Sequence, residues 1–409
     1  MPLPRTVEVL RHATLPGGRP VDVVVDGALV GSVVDAGTAP ARLDGLDLTG
    51  FVLLTAPAEP HAHLDKAGSW DAIRPPVGDL TRAIESWVRF AATTTRAEIA
   101  DRARAQLTRH LRNGTTAVRS HVDLLLDGDP LRAVRALVEV RAEFAGLMDV
   151  QLVALASEFV DDAVYRDAIA LGVDLIGGAP HLAADPAGQL GRQIALAAEL
   201  GVGIDLHTDE SLHGPVTILD FAHAVAGWTV PVTAGHCVRL GTMPPAELAT
   251  VLDAVAAGPM GLVTLPITNL YLQGWADLVA TPRGLTALRA ILEAGIPLGA
   301  GADNVRDPFN PVGRSDALET ASLLVTAGHL TLDEALHLIT DGARRVMGMT
   351  AAGAQPGAQA DFLAVRGTGA GEIVAEAGPD RFVIHRGRLV SASRVHHDTA
   401  LPLIAHEPA

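Results

Sequence analysis

The sequence predicts an α/β fold: a (β/α)8 barrel of the TIM type with a small β-sandwich domain built from both termini. Through the middle of the chain, strand-like runs alternate with longer helical patterns, which is typical of parallel βα units. Both ends contain short strand-like runs without such helices. Several of the middle strands end in a polar, metal-competent residue, as barrel strands do at their catalytic face.

The two ends of the chain have the pattern of a β domain. Short apolar and β-branched runs, separated by Gly and Asp, occur at positions 7–10, 21–27, 29–34, 360–365 and 382–390. We therefore predict that residues 1–55 and 352–409 form the small β domain and that residues 56–351 form the barrel. The Gly- and Ala-rich stretch 350–359 is the predicted linker.

Between these ends, helices and strands are predicted in alternation. A helix over residues 96–113 ends at Asn113 and Gly114, a common C-terminal stop, and a strand follows at 116–121. The same order repeats with predicted helices at 131–144, 162–171 and 190–200 and with predicted strands at 150–155, 173–177 and 202–206. At 409 residues the chain exceeds a plain barrel of roughly 250 residues, so a second unit is expected.

Residues 61–66 read His-Ala-His-Leu-Asp-Lys and follow an apolar run. Side chains alternate along a strand, so His61 and His63 can reach the same cation. His207 and Asp303 each follow a later strand-like run. Neutral imidazoles and a carboxylate suit zinc or ferrous iron, and we predict that these four residues hold one divalent metal ion. Because Lys66 is the only lysine of the chain, no second lysine is present to bridge a metal pair.

Three residues have predicted roles in hydrolysis. Asp303 would orient a water molecule and take its proton, and Glu210 would carry protons to a ring nitrogen and to the leaving amine. His236 would stabilise the charge that develops at the reacting centre. Each residue alone has a simpler explanation, such as a surface pair, a core histidine or turn chemistry, and a His-x-His pair arises by chance in a chain with 16 histidines. Their joint occurrence at strand ends favours the metal site.

Two further residues, His121 and Asp123, also lie at the end of a predicted strand. Residues in such positions more often support the ligands or cap the strand, although they can also line the pocket.

The composition excludes several classes of partner. The formal net charge is −16, with 31 basic and 47 acidic residues, which argues against nucleic acid. Cys237 is the single cysteine, so no intramolecular disulfide forms, and this fits a reducing compartment. The N-terminus has no signal-peptide layout, and every apolar run is interrupted before about 18 residues. We predict a cytoplasmic protein without a membrane partner.

These segments together resemble the amidohydrolase superfamily, and within it the cytosine deaminase group, over almost the whole chain. The stretches that carry the resemblance are 59–65, 119–123, 150–154, 205–210, 232–236 and 269–274. The resemblance implies a mononuclear zinc or iron enzyme that replaces an amino group of a nitrogen heterocycle by oxygen and releases ammonia. By position it assigns the metal ligands to His61, His63, His207 and Asp303, the proton-shuttling glutamate to Glu210 and the polarising histidine to His236.

The positions that read the substrate depart from the cytosine deaminase pattern. Ser157 stands where that group has a glutamine, Asn304 where it has an aspartate and Phe309 where it has a tryptophan. A site without the side chain that hydrogen-bonds one edge of a ring rejects substrates that depend on that bond, so cytosine itself is not the expected substrate. Segments 61–66 and 302–307 are similar to triazine N-alkylaminohydrolases. We expect Lys66 and Gln273, together with the three altered residues, to contact a small heterocyclic substrate.

Several alternatives remain open at this point. The leaving group can be ammonia or a substituted amine, and a cyclic amide hydrolase of the same superfamily is a further possibility. A non-enzymatic barrel scaffold is less favoured, because relatives of that kind lose metal ligands. A homo-oligomer is expected by resemblance only.

Overall fold

The computed structural model describes residues 3–78, 80–396 and 398. Its strands are β1 Arg5–Thr6, β2 Val9–Thr14, β3 Pro20–Asp26, β4 Leu29–Asp35, β5 Gly45–Asp47, β6 Phe51–Thr55, β7 Ala58–Ala62, β8 Ala117–Asp123, β9 Asp149–Leu155, β10 Leu175–Gly178, β11 Gly203–Thr208, β12 Val232–His236, β13 Met260–Thr264, β14 Leu298–Ala300, β15 Phe362–Arg366, β16 Arg381–His385 and β17 Arg388–Ser393.

The α-helices lie mostly between the strands of the middle region. They are α1 Trp70–Ile73, α2 Leu80–Ala91, α3 Arg96–Arg112, α4 Arg132–Glu143, α5 Asp162–Ala170, α6 Pro186–Leu200, α7 Ile218–Ala224, α8 Pro245–Ala256, α9 Pro266–Leu272, α10 Leu288–Glu293, α11 Ala317–Thr326, α12 Leu332–His337, α13 Ala343–Val346 and α14 Ala370–Glu376. Within the described residues, no helix combines the length and the apolar character needed to cross a membrane.

Strands β7 to β14 form a parallel sheet of eight strands in which each strand pairs with the next along the chain. An isolated parallel bridge between Ala62 and Asp303 joins the two edges, so the sheet closes into a barrel. The predicted α/β barrel is therefore confirmed. The closing bridge also brings the first and last strands, and the polar residues that follow them, to the same edge.

The ends of the chain form a second, separate sheet. Its order is β1-β17-β16-β15-β6-β2-β3-β4, with β5 paired to β2, so strands from both termini share one hydrogen-bonded sheet. Apolar residues from both ends of the chain pack into one core of this sheet, among them Leu10, Phe51, Phe362 and Ile384. The predicted β domain assembled from both termini is present. The domain limits 1–55, 56–351 and 352–409 stay predictions, and residues 1, 2, 79, 397 and 399–409 lie outside the described part.

The predicted helices are present, with shifts at their ends. Helix α3 begins after Thr95, whose hydroxyl accepts the backbone N–H of Glu98 while the Glu98 carboxylate accepts the N–H of Thr95. Helix α6 begins at Pro186, four residues before the predicted start. The reason is an N-cap: the Asp185 carboxylate accepts the backbone N–H of Gly188 at 3.0 Å, and a proline suits the first helical position.

A buried arginine ties the barrel together near the start of its strands. Arg119 of β8 donates to the Gln151 side-chain oxygen at 2.9 Å, to the Asp205 carboxylate at 2.7 Å and to the Thr233 hydroxyl at 2.9 Å. It also donates to the carbonyl oxygen of Met347 at 2.9 Å. All three of its nitrogens therefore have partners from other segments, which satisfies a guanidinium that has no access to water.

A second buried ion pair joins the barrel to the terminal sheet. Arg344 of α13 donates to the Asp361 carboxylate at 3.0 Å and to the Thr116 hydroxyl at 2.6 Å. The same carboxylate accepts the backbone N–H of Arg386 at 2.7 Å and lies 3.1 Å from Nδ1 of His385. Burial alone would raise the pKa of Asp361, but the His385 hydrogen bond and the Arg344 charge outweigh it and hold that pKa below its ordinary value.

Candidate active site

Three imidazoles and one carboxylate converge at the carboxyl end of the barrel strands. Nε2 of His207 lies 3.2 Å from Nε2 of His61 and 3.2 Å from Nε2 of His63. Oδ1 of Asp303 lies 3.1 Å from Nε2 of His63 and 3.8 Å from Nε2 of His61. All four side chains are buried. The structure thus brings together the four residues that the sequence predicts as ligands.

The donor set fits a divalent metal ion. Donors about 2.0–2.1 Å from a tetrahedral Zn²⁺ lie roughly 3.3 Å from one another, close to the separations found here. Both carboxylate oxygens of Asp303 are buried without a hydrogen-bond partner among the described residues, an arrangement that a cation would relieve. Burial, together with the charges of neighbouring groups, lowers the pKa of all three imidazoles well below the ordinary histidine value. They are therefore neutral, as metal ligation requires.

The backbone around the cluster is strained and closely packed. His236 and Asp303 adopt left-handed conformations with φ of 66° and 62°, which non-glycine residues seldom do. Gly235 lets the His61 ring approach, because a Cβ at that position would lie 3.0 Å from two ring atoms. The strained backbone at His236 and Asp303 therefore directs their side chains into the cluster.

Glu59 holds the first and last barrel strands together beneath the cluster. Its carboxylate accepts the backbone N–H of Ala302 at 2.8 Å and of His61 at 3.2 Å. Gly301 leaves the space for it, because a Cβ there would lie 2.1 Å from the carboxylate. Burial raises the pKa of Glu59 to about 8. The sequence analysis missed this residue, although it lies two positions before His61 on the same face of the strand.

Glu210 and His236 face each other beside the cluster. Oε1 of Glu210 lies 3.6 Å from Nδ1 of His236, and Nε2 of His236 lies 3.8 Å from Oδ2 of Asp303. Asn269 accepts from Nδ1 of His236 at 3.0 Å, which leaves Nε2 with a free lone pair in the neutral ring. Burial raises the pKa of Glu210 to about 7 and lowers that of His236 to about 4.

A cavity of about 340 Å³ opens from the cluster to the surface. Four of the five predicted substrate contacts line it: Ser157, Asn304, Phe309 and Lys66. The fifth, Gln273, is not part of the cavity wall in the described structure; its amide donates to the carbonyl oxygen of Glu210 at 2.7 Å. This bond supports the loop that carries Glu210, and a substrate contact of Gln273 stays a prediction.

Lys66 and Asp123 form an ion pair in the cavity wall. Nζ of Lys66 lies 3.1 Å from Oδ1 of Asp123 and 3.3 Å from Nδ1 of His63, and Trp87 donates to the other oxygen of Asp123. Burial would lower the pKa of Lys66, but the charge of Asp123 outweighs it, so the pKa is raised and the amine stays charged. From the sequence, Asp123 was considered a residue that supports the ligands. Trp87 was not predicted, since no pattern in α2 marks it as part of the cavity wall.

His121 lies beneath the cluster. Its ring stacks on that of His61, with 4.0 Å between the ring centroids, and its Nε2 lies 3.4 Å from Oδ1 of Asp205. These contacts restrict the orientation of the His61 ring, which is the supporting position considered from the sequence.

Comparison with known proteins identifies the family. The sequence profile of the amidohydrolase family matches residues 88–392. The chain belongs to the amidohydrolase family. It is 32% identical to a pterin deaminase from Rhizobium rhizogenes over 387 residues, which covers 91% of this chain and 88% of the relative. The resemblance drawn from the sequence is therefore confirmed, and this amidohydrolase is an enzyme that hydrolyses carbon–nitrogen bonds.

Solved structures agree with this assignment. A 5-methylcytosine deaminase from Klebsiella pneumoniae superimposes with a TM-score of 0.85 at 24% identity, covering 96% of this amidohydrolase and 99% of that chain. An N-isopropylammelide isopropylaminohydrolase from Burkholderia multivorans superimposes with a TM-score of 0.82 at 28% identity, covering 95% and 98%.

Proposed function

We propose that this amidohydrolase is a metal-dependent deaminase that releases ammonia from an amino-substituted nitrogen heterocycle, cytosine-like in its chemistry but not cytosine itself. The observation that carries the proposal is the convergence of His61, His63, His207 and Asp303, with Glu210 and His236 beside them. Zinc and iron both suit this donor set.

The proposed roles follow from the positions of the side chains. A bound divalent ion supplies a Lewis acid that lowers the pKa of water to near 7. The Asp303 carboxylate takes the proton of the attacking water. Glu210, whose pKa is about 7, is partly protonated at neutral pH, so it can give its proton to a ring nitrogen. The resulting carboxylate then takes the hydroxyl proton of the adduct and gives it to the departing amine, and the proton held by Asp303 restores Glu210 for the next cycle. His236, whose Nε2 has its lone pair free and lies 3.8 Å from Oδ2 of Asp303, would accept a hydrogen bond from the attacking water and so orient it.

An aminopteridine is the proposed ring. Ser157 lines the cavity and is much shorter than the glutamine found in cytosine deaminases, so we expect room for a second fused ring on that side. The 32% identity to a pterin deaminase supports the same ring. We further propose that Lys66, Asn304, Phe309 and Ser157 contact it.

A second candidate is release of a substituted amine. Segments 61–66 and 302–307 resemble triazine N-alkylaminohydrolases, and a relative of 27% identity is an N-isopropylammelide isopropyl amidohydrolase from Pseudomonas sp.. The two reactions share all proposed catalytic roles and differ in the leaving group.

One screen tests both candidates. Metal-reconstituted protein is incubated with pterin, cytosine, aminotriazines, N-alkylammelides and a cyclic amide, and released ammonia or amine and any ring-opened product are measured with Glu210→Gln as the blank. We expect ammonia from pterin above the blank. Amine from N-alkylammelides alone would favour the second candidate. A ring-opened product from a cyclic amide would instead favour a cyclic amide hydrolase, and no product from any ring would contradict the proposal.

A further inference from the structure

The wall of the cavity changes character from its inner to its outer end. At the inner end it is polar, with His63, Lys66, Glu210 and Asn304. Toward the mouth it is formed by apolar side chains from four separate segments: Ile84 and Val88 of α2, Leu125 and Leu126 after β8, Phe159 after β9, and Leu182 before α6. Asp127, Glu158 and Gln189, from the same segments, also line the cavity, so the outer half is mainly but not wholly apolar.

Four of these six mouth residues remain exposed although they are large and apolar, whereas Leu125 is buried and Ile84 half-buried. Their exposed fractions are 39% for Val88, 50% for Leu126, 75% for Phe159 and 47% for Leu182. They come from segments that are separated in the sequence, so they lie together only in the folded chain. Exposed apolar surface is unfavourable by roughly 25 cal/mol per Å², and packing of the protein itself does not require it here. A contiguous apolar patch beside a pocket is typical of a binding surface.

Helix α2 turns one apolar face toward the cavity, and this face has a buried part and a more exposed part. Trp87 and Ala91 are buried and pack with Leu125, which anchors the helix to the barrel. Leu80, Ile84 and Val88 are spaced four residues apart, so they lie along one stripe of the helix, and all three line the cavity. This stripe is partly open to solvent, so an apolar group in the outer cavity would cover it.

We propose that the outer half of the cavity is a subsite for an apolar substituent on the heterocycle, so that the substrate is a ring with an alkyl or aryl group directed away from the reacting carbon. The choice of ring rests on the proposed function. The subsite itself rests on the continuity of one cavity, of about 340 Å³, from the metal-binding cluster to the apolar mouth. Cavities of roughly 300–1,000 Å³ accommodate ligands larger than a single ring.

The test measures binding without turnover. Metal-loaded Glu210→Gln protein is titrated calorimetrically with two series of pterins, alkylated at carbon 6 or at carbon 7 with groups from hydrogen to butyl. In at least one series we expect the Kd to fall about fourfold for each added methylene, the gain for burying one such group. A Kd that is independent of chain length in both series, or no binding by any member, overturns the subsite.

Variants in the same background locate the effect. In Leu126→Ser/Phe159→Ser we expect less than about twofold gain per methylene. Leu278→Ser is the matched control, since Leu278 is 95% exposed and lies outside the cavity wall, and we expect it to keep the full dependence. An unchanged dependence in the double variant overturns the assignment. So does a change of oligomeric state in that variant with chain-length dependence unaltered, because the patch would then contact a second copy.

The outcome is separable from that of the proposed function. Ammonia release from unsubstituted pterin by the unmodified enzyme tests the function alone. Turnover of that ring without any gain from alkyl groups contradicts only the subsite, whereas alkyl-dependent binding without ammonia release supports the subsite and contradicts the deaminase.

Discussion

Buried polar side chains lie at both ends of the barrel interior, and the two groups differ in how they are satisfied. Near the start of the strands, all three nitrogens of Arg119 are bonded to Gln151, Asp205, Thr233 and the carbonyl of Met347. At the carboxyl ends, Nε2 of His236 and both oxygens of Asp303 have no hydrogen-bond partner among the described residues.

The difference separates structural groups from groups that need a ligand. A buried polar atom without a partner costs about 1–3 kcal/mol, so a fold does not collect several of them in one place without compensation. Every nitrogen of Arg119 is bonded within the chain, so this network contributes to folding, although Oδ1 of Asp205 has no hydrogen-bond partner among the described residues. The buried polar atoms at the carboxyl ends of the strands find partners only when a cation and a substrate supply the missing interactions, as expected of a catalytic centre.

The largest expected effect follows from removing a metal ligand at the carboxyl ends of the strands. We expect His207→Ala to lose bound zinc or iron and to reduce kcat/KM about 10⁴-fold or more, because the Lewis acid is worth several kcal/mol in the transition state. Metal analysis of the purified protein and the ammonia assay measure the two effects. His223→Ala is the matched control, since His223 is exposed on α7. Equal metal content in both variants would contradict the ligand assignment.

Glu210→Gln separates proton transfer from metal binding. The amide is nearly isosteric but cannot carry a proton, so we expect kcat to fall by about 10²–10⁴-fold while the metal content stays unchanged. The exposed Glu247→Gln on α8 serves as the control. If kcat were unaffected, or if metal were lost along with activity, the proton-shuttle role would be wrong.

The Arg119 network provides the opposite test. In Arg119→Met the buried Asp205 carboxylate loses its charged partner, and we expect the free energy of unfolding to drop by about 3 kcal/mol. Arg166→Met removes an exposed pair with Glu199 and should cost less than about 1 kcal/mol. Urea denaturation of both variants gives these values. We expect folded Arg119→Met to retain its metal; comparable losses of stability in the two variants would argue against a structural role.

The junction between barrel and terminal sheet gives the smallest effect. The pKa of Asp361 is lower in the folded chain than in the unfolded chain, so its contribution is present above the unfolded value near 4 and is lost as the pH falls below it. We expect the unmodified protein to lose about 1 kcal/mol more than Asp361→Asn between pH 5 and pH 3. Denaturation at several pH values checks this, and parallel pH profiles would contradict it.

Much of the barrel could be predicted because its signals are local. The alternation of apolar runs with helical periods depends on neighbours in the chain, and so does the spacing of His61 and His63 along one strand. The start of α6 was wrong by four residues because the Asp185 cap and Pro186 precede the apolar pattern. Glu59 and Asn269 were missed because their partners lie far away in sequence, at Ala302 and at His236.

The amino-acid sequence by itself determined the fold class and the types of side chain at the strand ends, since periodicity and residue chemistry are properties of short segments. The tertiary structure decided which of those side chains meet. Closure between β7 and β14 brings Asp303 to the histidines of the first strand, and Gln273 is turned to the carbonyl of Glu210. The tertiary structure also places Val88, Leu126, Phe159 and Leu182 together at the mouth of the cavity, because distances between remote segments depend on the packing of the whole barrel.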